Sequence, residues 1–403
     1  MGDRIGRFVI RSRLMQIVAA RELTVPLAGE ISNAVVDFSG HTVSLVALIT
    51  DRMEGGRPLI GFGFNSIGRF GQGGILRERM IPRVMAAPPE ALLGEDGRSF
   101  DPAAVAAVAM RNEKPGGHGD RAGAVGALEL AVWDLNAKLA DEPAYRTIAR
   151  HFERRSSTSC TTVYAAGGYY YPGASASRLR GELHQYQELG FDAFKIKIGG
   201  ASLSSDCSRI EAALTVAGEG SRLAVDANGR FDERQALEYA HALTPYSLRW
   251  YEEPGDPLDY GLNHRVTSNY PGPVATGENL FSALDARNLV QYAGMRPGKD
   301  VFQMDPGLSY GLTEYGRMLN VLERWGFDRA QCFPHGGHLI NLHVAVGLGL
   351  GGCEAYPGVF QPFGGYSPHC RIGNGLVTAT DAPGFGLEQK PELRPYLREL
   401  GGW

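Results

Sequence analysis

Cysteine is scarce in this chain, with five residues in 403, at positions 160, 207, 332, 353 and 370. No two have CxxC spacing, which excludes zinc-ribbon and thioredoxin-like redox chemistry. An odd number of widely spaced cysteines fits buried thiols in a reducing compartment. No uninterrupted run of 18 apolar residues occurs, so no membrane span is expected. Charge of one sign is never concentrated, and the net charge of −4 argues against a nucleic-acid surface. The Arg-rich stretches RERMIPR (77–83) and FERRSS (152–157) read as solvated faces or subunit contacts. Phosphate loops are missing too. GLGLGG (347–352) precedes a strand instead of opening a helix, and GMRPGK (294–299) is one residue short of a P-loop. No HExxH zinc pattern exists. At the start, Gly6 stands where myristoylation needs Ser or Thr, and Arg4, Arg7, Arg11 and Arg13 interrupt any signal-peptide core. The expected location is the cytoplasm.

Apolar residues make up 43% of the chain, enough for a large core. The first third reads as α+β. Runs 43–51 and 57–65 form a hairpin across the turn RMEGG, helical spacing follows through ILRERMIPRVM, and a strong helix runs through AGAVGALELAVWDLNAKLADEP (122–143) and stops at its proline. RNEKPGGHGDR (111–121) is a loop. From about residue 157 short strands alternate with helices. The strands are TSCTTVYAAG, AFKIKIG, RLAVDANG, LRWYEEP, VATGEN, VFQMDP, AQCFPHG and GGCEAYP. Eight of them favour a closed parallel barrel over an open sheet. The expected fold is α/β, a (β/α)7β TIM-like barrel with an α+β capping domain. Residues 1–150 give the cap, 151–360 the barrel, and 361–403 a segment that folds back to complete the cap.

Asp226, Glu252 and Glu278 each end an apolar run, and each is 26 residues from the next. An even repeat of this kind is what successive βα units produce, and strand ends on one rim carry a barrel's chemistry. Three carboxylates there suit a hard dication with oxygen ligands, Mg2+ above all. The spacing prefers Glu252 over Glu253.

On the second strand Lys195 and Lys197 share one face, because side chains alternate. With Ile196 and Ile198 turned to the helices, the lysines point into the barrel. Two ammonium groups beside a dication disfavour each other's protonation, which makes one a usable base. Asp305 ends the sixth strand and His335 the seventh, so the acid can orient the imidazole. His338 and His343 beyond it read as helix residues. Strands two and seven lie roughly 135° apart around the ring, so Lys197 and His335 approach a central ligand from different sides. The arrangement suits removal of a proton next to a carboxylate, with metal and ammonium charge stabilising the enediolate.

These residues, with GFGFNS, RNEKPGGHGDR, YAAGGYYYPG, VDANGRF, YEEPGDPLDY, ATGENLFS, LSYGLTEY and FPHGGH, resemble the enolase superfamily, mandelate racemase subgroup, over nearly the whole chain. The more particular signatures are similar to those of the subgroup's tartrate dehydratases. The resemblance implies Mg2+ on Asp226, Glu252 and Glu278, Lys197 as base, Lys195 supporting the carboxylate, and His335 as acid oriented by Asp305. It implies substrate contacts from Lys114, Lys195, Asn33, Ile67, Tyr169, Glu354 and Tyr356. The implied substrate is a small hydroxylated carboxylic acid, D-tartrate first, dehydrated to oxaloacetate by a homo-oligomer. Ile67, Ala355 and Cys353 replace polar residues of that pattern, and such changes alter the preference for hydroxyl-rich substrates. Three other readings remain: dehydration of another acid sugar, a racemase or epimerase using the same Lys and His, and a non-catalytic binding barrel.

Overall fold

The computed structural model describes residues 14–154, 158–171 and 175–403. The readings on Arg4, Arg7, Arg11 and Arg13, and those on 155–157 and 172–174, lie outside the described residues. Three antiparallel strands come first, in the order β1 (Ile17–Pro26), β2 (Thr42–Glu54), β3 (Arg57–Phe64). The hairpin between β2 and β3 turns on Gly55 and Gly56, whose φ values of 54° and 81° suit a two-residue turn. Gly61 and Gly63 let the helix Asp120–Leu139 lie directly on β3. A Cβ at Gly61 would stand 2.2 Å from the Ala131 carbonyl oxygen, and one at Gly63 2.4 Å from that of Ala127. This helix is buried at every residue from Ala122 to Leu135, and its composition is accordingly apolar almost all round.

Next comes the barrel. Strands β4 (Cys160–Gly167), β5 (Phe194–Lys197), β6 (Leu223–Asp226), β7 (Tyr251–Glu252), β8 (Val274–Thr276) and β9 (Val301–Phe302) pair in parallel succession, and β10 (Cys353–Ala355) pairs with β4. The seventh position is not a strand but a single parallel bridge, Phe302 to Cys332. Pro334 lacks an N–H, and Gly336 and Gly337 turn the chain at φ 109° and 50°, so pairing stops there. Hydrogen bonds from Phe333 N to Phe302 O (2.8 Å) and from Gly351 N to Cys332 O (3.0 Å) still close the ring. The fold is therefore a (β/α)7β barrel with an α+β cap. Helices Leu203–Ala217, Glu233–Leu243, Tyr260–Asn269 and Ala283–Tyr292 begin at the side-chain caps Ser202, Asp232, Asp259 and Ser282.

Tyr164, Ala193, Ala224, Trp250, Ala275, Val301 and Phe333 form one buried cluster, mostly from inward strand positions. Further along the strands the inward positions turn charged, with Lys195, Glu252 and Glu354 all buried.

The C-terminal segment reaches both units. Gln361 bridges to Ala28, the helix Arg394–Gly401 contacts β1 and β2, and Arg21 Nη1 donates to the Leu400 carbonyl (2.9 Å). It also forms a hairpin that the sequence reading missed. Strands β11 (Arg371–Gly373) and β12 (Leu376–Thr378) meet at Asn374–Gly375, the residue pair of a two-residue hairpin, and β12 pairs antiparallel with the start of β4. No helix among the described residues is long and apolar enough to cross a membrane. All five cysteines are free thiols.

Candidate active site

Register sets the first part of the site. Lys197 pairs with Asp226 across β5 and β6, and Asp226 pairs with Glu252 across β6 and β7, so three charged side chains share one level. Lys197 Nζ lies 2.5 Å from Asp226 Oδ2. Lys195 Nζ lies 2.6 Å from Glu252 Oε1, 2.7 Å from Glu354 Oε1 and 3.5 Å from Asp226 Oδ2. Burial alone would lower the Lys195 pKa, but Glu252 and Glu354 outweigh it and hold the ammonium well above its usual range. Mutual repulsion between the lysines is thus not what governs Lys195, because carboxylates surround it. Burial also works to raise Asp226, yet Lys197 and Lys195 hold it below the ordinary carboxylate range.

The carboxylates divide into two groups. Glu252 is sealed inside, with Lys195 on Oε1 and Trp250 Nε1 on Oε2 at 2.8 Å. Burial and the neighbouring Asp226 push it up to about 8. Glu253 and Glu278 line the open cavity instead. Glu253 has φ 38°, outside the strand alternation, and accepts from Asn279 Nδ2 at 2.8 Å. Burial and the charges of Glu278 and Asp226 raise its pKa well above normal. So the spacing singled out Glu252, whereas the structure sets Glu253 beside Glu278. Among the described residues no three His, Cys, Asp or Glu side chains stand close enough to grip a metal ion as they are, because ammonium groups occupy Asp226 and Glu252. The donor set nevertheless fits a hard cation. It is all carboxylate, and Glu252 and Glu253 are raised by burial and then by like-charge crowding, the second of which a dication relieves.

Across the cavity stands His335. Its Nδ1 lies 3.1 Å from Asp305 Oδ2, and its Nε2 lies 3.1 Å from the Tyr356 hydroxyl and 3.6 Å from Glu278 Oε2. Burial lowers its pKa, but Glu278 and Asp305 more than offset this and push it up to about 9. These carboxylates favour the protonated imidazole, a form that could donate a proton. Asp305 is buried, yet its bond to His335 keeps it ionised. The cap extends this pair. Asn341 N donates to His338 Nδ1, so the proton of neutral His338 sits on Nε2, 2.9 Å from Ser66 Oγ. Burial pushes His338 down to about 4. The Ser66 hydroxyl also helps hold Asp305 low.

The cavity measures about 280 Å³ and draws on both units. Asn33, Val36, Phe38, Ile67 and Arg69 come from cap loops, and Tyr169, Lys197, Asn228, Glu253, Glu278, Asn279, His335 and Tyr356 from barrel strand ends. Asn33 lines the cavity, but its Oδ1 is used by the backbone N–H groups of Val35 and Val36. Lys197 Nζ lies 5.2 Å from the centre of the Tyr169 ring. Glu354 accepts from Gly336 N at 3.0 Å and so ties β10 to the His335 turn. Lys114 does not reach the cavity. It is exposed on the 111–119 loop, whose shape is fixed by Glu113 among Arg79, Arg83 and Arg121 and by Arg121 Nη1 on the Lys114 carbonyl. Arg69, Asn228 and Asn279 escaped the sequence reading. Asn228 and Asn279 each stand within two residues of a strand-end acid, Asp226 and Glu278.

A parallel barrel under an α+β cap, with acids and lysines on consecutive strand ends, defines the enolase-like class. The model for Enolase C-terminal domain-like proteins matches residues 178–393, more than half of the chain, and the chain belongs to this family. It is 25% identical over 376 residues to the L-talarate/galactarate dehydratase of Salmonella typhimurium, covering 93% of this chain and 88% of that one. It is 26% identical over 391 residues to the 3,6-anhydro-alpha-L-galactonate cycloisomerase of Streptomyces coelicolor, covering 94% and 95%. The fold matches that of an L-talarate dehydratase from Polaromonas sp. JS666, solved with Mg and L-glucarate, at a TM-score of 0.73 and 22% identity, covering 94% and 95%.

Proposed function

We propose that the chain is a Mg2+-dependent dehydratase of a small hydroxylated acid of the acid-sugar class, with D-tartrate to oxaloacetate as the first candidate. One observation carries this reading: Lys197 and a cationic His335 both line one small cavity with carboxylates between them. Similarity to the L-talarate/galactarate dehydratase supports it. Asp226, Glu252 and Glu278 would hold Mg2+, which supplies positive charge to the substrate carboxylate when bound. Glu252 can serve once Lys195 turns from Oε1 to the substrate. The exposure of Glu253 to the cavity favours a second reading, in which it replaces Glu252. Lys195, held cationic by Glu252 and Glu354, binds the carboxylate oxygen where negative charge grows. Lys197 Nζ, now held by Asp226, would take the α-proton as the neutral amine once Asp226 turns to the cation and the ammonium has given its own proton to solvent. His335 Nε2 gives its proton to the β-hydroxyl as the carbon–oxygen bond breaks, while Asp305 holds Nδ1. The enol left behind becomes a 2-keto acid.

The test is formation of 2-keto acid from D-tartrate, galactarate and arabinonate with and without Mg2+. Keto acid from at least one of them, abolished by chelation, is expected, and none from any would refute the reading. In the same assay Glu252→Gln should raise the Mg2+ requirement about 100-fold, while Glu253→Gln raises it far less. The reverse order would assign Glu253 as the ligand.

A further inference from the structure

The cavity holds one cation that the reaction does not use. Arg69 lies on the cap loop after β3 and lines the cavity with Lys197 and His335. Lys197 is paired with Asp226, and His335 with Asp305. The guanidinium of Arg69 has a single described bond, from Nη2 to the amide oxygen of Asn279, and no carboxylate pairs with it among the described residues. Asn279 in turn donates to Glu253, so a neutral amide separates Arg69 from the acid cluster and fixes its plane. Nη1 and Nε have no partner among the described residues. A half-buried guanidinium with open donors is suited to a planar anion taken on two N–H groups.

Its position says which part of the substrate it meets. Gly68 abuts His335, such that a Cβ there would lie 3.6 Å from His335 Cε1. Arg69 is the next residue. Along a substrate whose carboxylate and α-carbon lie at Lys195 and Lys197, the β-hydroxyl is at His335, and the next group meets Arg69. We infer that Arg69 binds a second carboxylate beyond the β-carbon, so that this site selects dicarboxylic over monocarboxylic hydroxy acids. The inference rests on the dehydratase reading for the order of groups along the cavity.

The test uses a matched pair, D-tartrate and the threonate of the same configuration at C2 and C3, which differ only in the terminal carboxylate. With Mg2+, wild type should prefer the diacid in kcat/KM, and Arg69→Met should cut the diacid-to-monoacid ratio about 100-fold, the loss of a charge-assisted contact. Arg69→Lys should restore part of the ratio. A ratio that moves less than about threefold in Arg69→Met overturns the inference while leaving the dehydratase reading intact. If neither acid gives keto acid, the dehydratase reading fails for this pair, and calorimetric binding of the same two acids with Mg2+ decides separately. Tighter diacid binding that Arg69→Met abolishes supports Arg69 as the anion site, and equal affinities in wild type overturn it.

Discussion

His343 shows how burial fixes a protonation state away from the cavity. Tyr145 N donates to its Nδ1 at 3.3 Å, and Nε2 has no partner among the described residues. Burial pushes its pKa down to about 3. The sign follows from linkage. Below the unfolded value of about 6.5 the unfolded chain binds a proton that the folded chain refuses. Stability is therefore whole above pH 6.5 and is lost as pH falls toward 3. Between pH 7.5 and 5.0 this one residue should cost about 2 kcal/mol. Urea unfolding of wild type and His343→Gln at both pH values measures it. The variant should lose about that much less, and equal losses would contradict the account. Single residues also show what the sequence made legible. Period-two alternation put Lys195 and Lys197 on one face, and the structure has both on interior carboxylates. Alternation could not orient Glu253, whose φ of 38° breaks the pattern, nor Arg69, which stands on a patternless loop.

Elements meet the site through few contacts. The helix Asp120–Leu139 presents Glu129 to the start of the helix Leu312–Arg324. Its carboxylate accepts from Leu312 N (2.8 Å), Thr313 N (2.9 Å), Thr313 Oγ1 (2.6 Å) and Trp133 Nε1 (2.8 Å). A helix N-terminus favours such an anion. On the same helix Gly126 packs on the loop after β9, where a Cβ would lie 2.5 Å from the Ser309 carbonyl oxygen. That loop carries Asp305, which is bonded to His335. Glu129→Ala would strand several buried donors, costing about 3 kcal/mol or more, and should lower kcat by loosening Asp305. Denaturant unfolding and kcat check this together, and full kcat at normal stability would contradict it. Element order was legible from alternating apolar runs and helical stretches. The seventh strand was legible as a position but not as a bridge, since Pro334 and two glycines end its pairing early. The β11–β12 hairpin carried its Asn–Gly signal openly, and the Gly- and Pro-rich composition around it masked that signal.

At the scale of the whole molecule, the proposed chemistry and the proposed selection draw on different units. Barrel strand ends supply Lys195, Lys197, Asp226, Glu252 and His335. Cap loops supply Asn33, Ile67 and Arg69. The first set follows a repeat and could be read from spacing. The second depends on how loops meet across units, which no local pattern encodes, and Lys114 shows the difference by lying outside the cavity. The division of labour between Lys197 and His335 is the central claim, and one experiment in D2O tests it directly. D-Tartrate, or whichever acid the wild type dehydrates, is incubated with Mg2+ and each variant, and recovered substrate is examined for deuterium at C2. His335→Asn should introduce deuterium without forming keto acid, because Lys197 still takes the proton while the hydroxyl is no longer protonated. Lys197→Ala should do neither. Deuterium uptake by Lys197→Ala, or keto acid formed at the wild-type rate by His335→Asn, would contradict the account.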